Sequence, residues 1–121
     1  MIRLKKTVLT SEVLKNLRSA FGDEEDAILA DCESGRAVAW EVVGHGVVIT
    51  RIERGPSGRE LVLVAGAGKG MALVLEGFRE IARNNNIETI RIHSARRGMW
   101  RMLRKSGYKE VERVYRLKVG G

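Results

Sequence analysis

The sequence is poor in the residues that cross-link or interrupt a chain. It has one cysteine, Cys32, and one proline among its 121 residues. A lone cysteine forms no internal disulfide and is too little for a zinc cluster. A secreted, disulfide-stabilised mini-protein is therefore excluded, and a reducing cytoplasm is expected. With no proline-rich or low-complexity stretch to act as a linker, the chain is expected to form a single domain over residues 1–121.

Long apolar runs are also absent. Apolar residues make up 44% of the chain, but no run approaches the roughly 18 consecutive apolar residues of a membrane span. The two lysines near the N-terminus are not followed by the apolar stretch of a signal peptide. We therefore expect neither a membrane segment nor a targeting segment.

Aromatic residues are only 5% of the chain, too few for the stacking platform of a single-strand binder. Charge is plentiful, with 22 Lys and Arg against 15 Asp and Glu and a net charge of +7. This balance predicts an anionic partner, which can be nucleic acid, an acidic protein surface or a phosphorylated cofactor. The candidate anion-binding residues lie on the last predicted helix and its approach: Arg96, Arg97, Arg101 and Arg104. A solvated helix surface explains the same cluster without a partner.

Hydrophobic periodicity divides the chain into helices and strands. The predicted strands are Met1–Val8, Ala37–Val43, Val47–Arg54, Arg59–Ala65, Ile87–Ile92 and Tyr108–Val119. Two predicted helices follow the capping residues Thr10 and Asp23. A third begins at Met71, and a fourth spans Gly98–Lys105. The second to fourth strands form an antiparallel meander. The fifth is expected to run parallel to the fourth across a right-handed helical crossover.

A glycine-rich stretch, Gly66–Gly70, joins the most apolar strand to the helix that begins at Met71. Glycines let a backbone approach a ligand, and the first amides of a helix favour phosphate oxygens. The stretch predicts a pyrophosphate cradle; a tight turn that binds nothing is the alternative. A P-loop is excluded because Lys69 is followed by glycine instead of serine or threonine. A dinucleotide fold is disfavoured because Met71 replaces the third glycine of its motif.

The order of elements and three local matches resemble the GNAT family of N-acetyltransferases. The first match covers the second half of the family's Q/R-x-x-G-x-G/A turn: Gly70, Met71 and Ala72. The second covers three positions of its closing segment, L-Y-x-K-x-G-F: Lys105, Gly107 and Tyr108. Finally, Glu60 stands at the start of the fourth strand, where many members place a carboxylate.

This resemblance implies an α/β (α+β) fold in which a mixed central sheet of about six strands is flanked by about four helices. It also implies acetyl-CoA as cofactor and an amine as acceptor. In the family, pantetheine pairs like an extra strand with the fourth strand, here at Val64, Ala65 and Gly66. The pyrophosphate would then rest on backbone amides of five residues: Gly68, Lys69, Gly70, Met71 and Ala72.

Three departures from the family pattern bear on catalysis. Ala67 stands where the family's turn has glutamine or arginine. Leu103 stands where many members have a tyrosine that protonates the thiolate, and Arg96 stands where an asparagine is frequent. The catalytic candidates are then Glu60 as a base, with His93 and Tyr108 as substitutes for the missing acid. The alternative function is a catalytically degenerate GNAT fold that binds nucleic acid or an acidic protein.

The chain also resembles the short GNAT-like proteins of tailed phages and prophages. That resemblance implies the cytoplasm of a bacterial host as its location. For the non-catalytic alternative it implies a virion-associated structural module that contacts other virion proteins.

Overall fold

The computed structural model describes residues 2–21, 24–93 and 97–120. Within these residues the elements are, in chain order, β1 (Leu4–Lys6), α1 (Ser11–Phe21), α2 (Glu25–Ser34), β2 (Val38–Val42), β3 (Gly46–Arg54), β4 (Arg59–Gly68), α3 (Met71–Asn84), β5 (Thr89–Ile92) and α4 (Arg97–Lys105). In this part of the chain, no helix combines the length and the apolar character that crossing a membrane requires.

The strands form one mixed sheet in the order β1-β2-β3-β4-β5. Neighbouring strands from β1 to β4 are antiparallel, whereas β4 and β5 are parallel. The connection from β4 to β5 passes through α3, because parallel neighbours need a crossover. The predicted meander and the predicted parallel pair are both confirmed.

Helices cover both faces of this sheet. One buried cluster joins α1 and α2 to the sheet and includes Leu17, Phe21, Ile28, Ile49 and Val62. The other joins α3 to the opposite face and includes Leu61, Leu63, Val74, Leu75 and Phe78, with partly buried Met102 and Leu103 of α4 packed against it. Since β4 contributes to both clusters, it is the doubly covered central strand that its unbroken apolar run predicts.

The described helix ends follow the predicted caps. The Oγ1 of Thr10 accepts a hydrogen bond from the Val13 N–H at 3.3 Å, which satisfies one of the free donors of α1. Gly35 ends α2 in the left-handed conformation, with φ 83°. Asp23, predicted to cap α2, lies outside the described residues.

The predicted sixth strand, Tyr108–Val119, is not formed, so the sheet has five strands in the described part of the chain. The C-terminal segment, residues 108–120, has no helix or strand. Five of its large apolar side chains are 77–92% exposed: Val111, Val114, Tyr115, Leu117 and Val119. The alternating pattern is that of a strand, but a strand also needs a hydrogen-bonded neighbour, and the segment has none among the described residues.

Candidate functional site

The sheet opens at the C-terminal end of β4. Pairing between β4 and β5 runs only from Glu60 with Thr89 to Leu63 with Ile92, and the His93 N–H then donates to the Leu63 carbonyl at 3.1 Å. On its other side, β4 stays paired with β3 as far as Gly68. The edge of β4 from residue 64 to residue 68 therefore has no strand partner on the β5 side among the described residues.

A β-bulge marks the point where the two strands separate. Ala65 pairs with Ile49 and Leu63 pairs with Thr50, so Val64 is the extra residue of β4. Val64 and Ala65 consequently both face the cluster beneath α1 and α2, which breaks the usual alternation. Because a bulge bends and twists its strand, it turns the end of β4 away from β5.

The turn between β4 and α3 is shorter than predicted. Gly66–Gly68 belongs to β4, and only Lys69 and Gly70 lie between that strand and α3. The strand continues because the β2–β3 turn lies against it: a Cβ atom on Gly68 would stand 2.0 Å from the His45 carbonyl oxygen. Glycine at this position is therefore required by the close approach of two backbones.

His45 holds this turn in place. Its carbonyl accepts the Lys69 N–H at 2.8 Å, and its Nδ1 lies 3.0 Å from the Lys69 carbonyl oxygen. Since a carbonyl only accepts, Nδ1 carries the proton and donates. The ring also fills the space beside Gly70, where a Cβ would lie 2.8 Å from Nδ1. Hydrophobic periodicity carries no sign of this contact, so the sequence does not predict it.

The N-terminus of α3 faces outward with free donors. Gly70 precedes the helix in the left-handed conformation, with φ 67°, and no side chain of the described residues caps the helix. The Val74 N–H makes the first helical bond, to the Gly70 carbonyl at 3.1 Å, and the first turn contains no acidic residue. The N–H groups of Met71 and Ala72 precede that bond and are available to an anion. The Lys69 N–H is not, because His45 accepts it.

Glu60 lies at the other end of β4, buried under an ion-pair network. The residue is 6% exposed. Its Oε1 accepts from Arg91 Nη1 at 2.7 Å, and its Oε2 accepts from Thr89 Oγ1 at 2.9 Å. Arg91 also donates to Glu53 at 2.9 Å, and Arg51 links Glu53 to Asp31 of α2. Both oxygens of Glu60 are occupied by structural partners.

His93 lies beside the opening. It directly follows β5, and its backbone bond to Leu63 places it next to the bulge. Burial, followed by the positive charges of Arg91 and Arg51, lowers the pKa of the ring below its ordinary value, whereas the negative charges of Glu112 and Glu53 act in the opposite direction. The residue is exposed, and the lowered pKa favours the neutral form of the ring, the form that accepts a proton.

Tyr108 is half-buried beside α3. Its N–H donates to the Leu103 carbonyl at 3.0 Å. Burial raises the pKa of the phenol, while the nearby charge of Arg79 lowers it by less. The hydroxyl therefore stays protonated at neutral pH.

The basic residues of the last helix are only partly described. Arg101 and Arg104 are exposed on α4, which has no acidic residue in its first turn. Arg97 begins that helix, and Arg96 lies outside the described residues. In the described part of the chain, no group of three or more His, Cys, Asp or Glu is arranged to hold a metal ion.

The comparison with solved structures supports the fold, whereas the two sequence comparisons found no match. No protein-family model and no curated protein matches the sequence. A predicted acetyltransferase of Clostridium acetobutylicum, solved with acetyl-CoA, superposes with a TM-score of 0.63 at 13% identity, over 98% of this chain and 97% of that one. An acetyltransferase of Trypanosoma brucei gives 0.57 at 17% identity, over 97% and 100% of the two chains.

A probable acetyltransferase gives a TM-score of 0.58 at 14% identity, over 98% of this chain and 99% of that one. At sequence identities this low, the similarity shows a shared fold and nothing finer. The chain has the α+β, GNAT-like fold that its order of elements predicts.

Proposed function

We propose that this protein binds acetyl-CoA where β4 meets α3 and transfers the acetyl group to an amine. The observation that carries the proposal is the free edge of β4, which begins at the Val64 bulge and leads into the uncapped N-terminus of α3. A structural neighbour solved with acetyl-CoA has the same fold, which supports this choice of ligand.

The residues at the opening fit such a ligand in two places. The backbone groups of Val64, Ala65 and Gly66 have no strand partner on the β5 side in the described part of the chain, so they offer an edge to which the amides of pantetheine can hydrogen-bond as a strand does. The N–H groups of Met71 and Ala72 offer donors to a pyrophosphate, and the exposed Lys69 side chain adds a positive charge. When bound, acetyl-CoA would supply the acetyl group as a thioester.

Proton transfer falls to His93 in this proposal. An amine acceptor must lose a proton before it attacks, and a neutral imidazole beside the opening can take it. Glu60 is less suited, because Arg91 and Thr89 occupy its oxygens and it lies four residues before the bulge, roughly 13 Å along the strand. Tyr108, which holds its proton at neutral pH, is the candidate donor to the departing sulfur.

Binding is tested by calorimetry and thermal unfolding with acetyl-CoA. At about 100 times its dissociation constant, the ligand should stabilise the fold by about 2.7 kcal/mol. Lys69→Gln should weaken binding and reduce its dependence on salt, whereas Lys15→Gln makes the same charge change on α1 and should not. Acetyl-pantetheine, which lacks the pyrophosphate, should bind Lys69→Gln and the original protein equally. No binding of acetyl-CoA at millimolar concentration would contradict the proposal.

Turnover is tested separately with a panel of primary amines. His93→Gln should lower kcat at neutral pH while leaving acetyl-CoA affinity unchanged, because the ring acts on the acceptor. Full activity of His93→Gln would remove His93 from the mechanism without affecting the proposed cofactor site.

The exposed basic helix favours a second function, binding of nucleic acid or an acidic protein. Arg101, Arg104 and Lys105 lie on α4 and form no ion pair within the described residues. Replacing both arginines with glutamine should weaken binding to duplex DNA and flatten its salt dependence by about 0.9 per lost phosphate contact. An unchanged salt slope would contradict this function. The virion-associated role belongs to this second function and stays a prediction.

A further inference from the structure

We propose that His45 positions the backbone groups that bind the pyrophosphate of the acyl donor. The inference rests on the proposed function and adds to that site a residue of the β2–β3 turn, which lies between Val42 and Gly46. His45 would not touch the ligand. It would act through Lys69 and Gly70, the two residues that join β4 to α3.

The β2–β3 turn and the end of β4 lie backbone against backbone. A Cβ atom added at Gly46 would clash with the Ala67 carbonyl oxygen, and one added at Gly68 would clash with the His45 carbonyl oxygen. Glycine at both positions is what permits this approach. The residues that follow Gly68 are therefore built directly on the β2–β3 turn.

His45 binds both backbone groups of Lys69. Its carbonyl oxygen accepts the Lys69 N–H at 2.8 Å, and its Nδ1 donates to the Lys69 carbonyl oxygen at 3.0 Å. The Lys69 carbonyl and the Gly70 N–H belong to one planar peptide unit, and none of the described peptide bonds is cis. In a trans peptide these two groups point in opposite directions. The bond from Nδ1 therefore directs the Gly70 N–H away from His45.

The Gly70 N–H joins the free amides of α3. Gly70 is left-handed, with φ 67° and ψ 38°, and the helix begins at the next residue. A left-handed residue followed by a helical one turns successive N–H groups toward one concave side, which favours an anion. Within the described residues the Gly70 N–H makes no backbone hydrogen bond. Three consecutive amides, those of Gly70, Met71 and Ala72, would thus face the pyrophosphate.

The other end of the ligand should not depend on the His45 side chain. In the proposed site pantetheine pairs with β4 at Val64–Gly66, and pairing to β3 holds that stretch on its other side. The His45 ring instead contacts Lys69 and lies against Gly70. Loss of the bond from Nδ1 should therefore weaken the binding of acyl donors that have a pyrophosphate and spare those without one.

The test compares two variants of His45. His45→Leu keeps a side chain of similar size but donates no hydrogen bond, whereas His45→Asn places an amide nitrogen where Nδ1 stands. Calorimetry measures their binding of acetyl-CoA, of 3′-dephospho-acetyl-CoA, which keeps the pyrophosphate, and of acetyl-pantetheine, which lacks it. We expect His45→Leu to bind the first two about tenfold more weakly, a change of about 1.4 kcal/mol, which is the size of one hydrogen bond. Its affinity for acetyl-pantetheine should not change, and His45→Asn should bind all three like the original protein.

A measurement without ligand checks the cause. Hydrogen exchange of the Lys69 N–H should be faster in His45→Leu than in His45→Asn, because the lost bond holds the same residue. Equal exchange in the two variants would contradict the positioning role.

The binding results separate this inference from the proposed function. Equal affinity of His45→Leu and the original protein for acetyl-CoA would overturn the role of His45 and leave the cofactor site intact. Equal weakening of all three ligands, or a His45→Asn variant as weak as His45→Leu, would also overturn it, because general damage to the turn would then explain the loss. No binding of acetyl-CoA by the original protein would overturn the proposed function itself, and this inference with it.

Discussion

Replacing Glu60 with glutamine tests whether this carboxylate acts in catalysis or holds the sheet together. In the structure it receives hydrogen bonds from Arg91 at 2.7 Å and from Thr89 at 2.9 Å, and the residue is 6% exposed. Glutamine keeps the shape of the side chain but removes the charge. One oxygen becomes an NH₂ group that faces a donor, so one of the two hydrogen bonds is lost.

The expected loss of stability follows from these contacts. A hydrogen bond to a charged group contributes about 1.5–3 kcal/mol. Breaking a buried ion pair outright costs about 3–5 kcal/mol, because it leaves a charge uncompensated. Here Arg91 keeps its second partner, Glu53, at 2.9 Å, so the smaller range applies. We expect the free energy of unfolding to fall by about 2 kcal/mol, which lowers Tm by about 6–10 °C in a chain of this size.

Urea unfolding measures this loss, and an unchanged m value would show that the denatured state is unaffected. The matched control is Glu76→Gln, which removes an exposed pair with Arg79 on α3 and should cost no more than about 0.5 kcal/mol. If Glu60→Gln kept full stability but lost acetyl transfer to an amine, the structural role would be refuted and Glu60 would be the base.

Three further predictions rest on single contacts. An NMR titration should place the pKa of His93 below its ordinary value of 6.5; since the unfolded chain then binds the proton first, unfolding becomes easier as pH falls from about 6.5. A pKa above that value would contradict the burial argument. Gly70→Val should lower the free energy of urea unfolding by about 1–3 kcal/mol even without ligand, because it forces a branched side chain into a left-handed backbone against His45. Trp40→Phe should cost about 1 kcal/mol in the same assay, because it removes the indole donor 2.9 Å from Thr50 Oγ1; unchanged midpoints would refute either estimate.

The sequence predicted the parts of the fold that depend on local pattern. Apolar spacing located the four helices, Thr10 and Gly35 marked two helix ends, and the run Leu61–Ala65 identified the central strand. Each of these signals lies within a few residues and follows from how a helix or strand presents its side chains. The prediction of a strand over Tyr108–Val119 was wrong. Alternation of apolar and polar residues indicates only that a segment is able to pair, and it does not supply the neighbouring strand.

The site depends on contacts between distant segments, and these the sequence could not supply. Nothing near Gly68 indicates that His45 lies against it. The sequence offered Glu60 as a base at the start of a strand, yet Arg91 and Thr89, about thirty positions later, bind its carboxylate. The bulge at Val64 appears only when β3 and β4 are aligned.

The two ends of β4 differ in a way that explains how the sheet can open at one of them. At its start, Glu60 accepts hydrogen bonds from Thr89 and Arg91, which lie two residues apart on one face of β5. Glu53 of β3 binds the Arg91 guanidinium as well. At the other end, the bulge bends β4 away while pairing to β3 continues. Because β5 has only four residues, fixing one end of it sets the direction of the whole strand. The ion-pair network therefore also sets the position of His93, the residue that directly follows β5. Loosening Glu60 should therefore disturb the position of His93 as well as the stability of the sheet, although the two residues are separated by the length of β5.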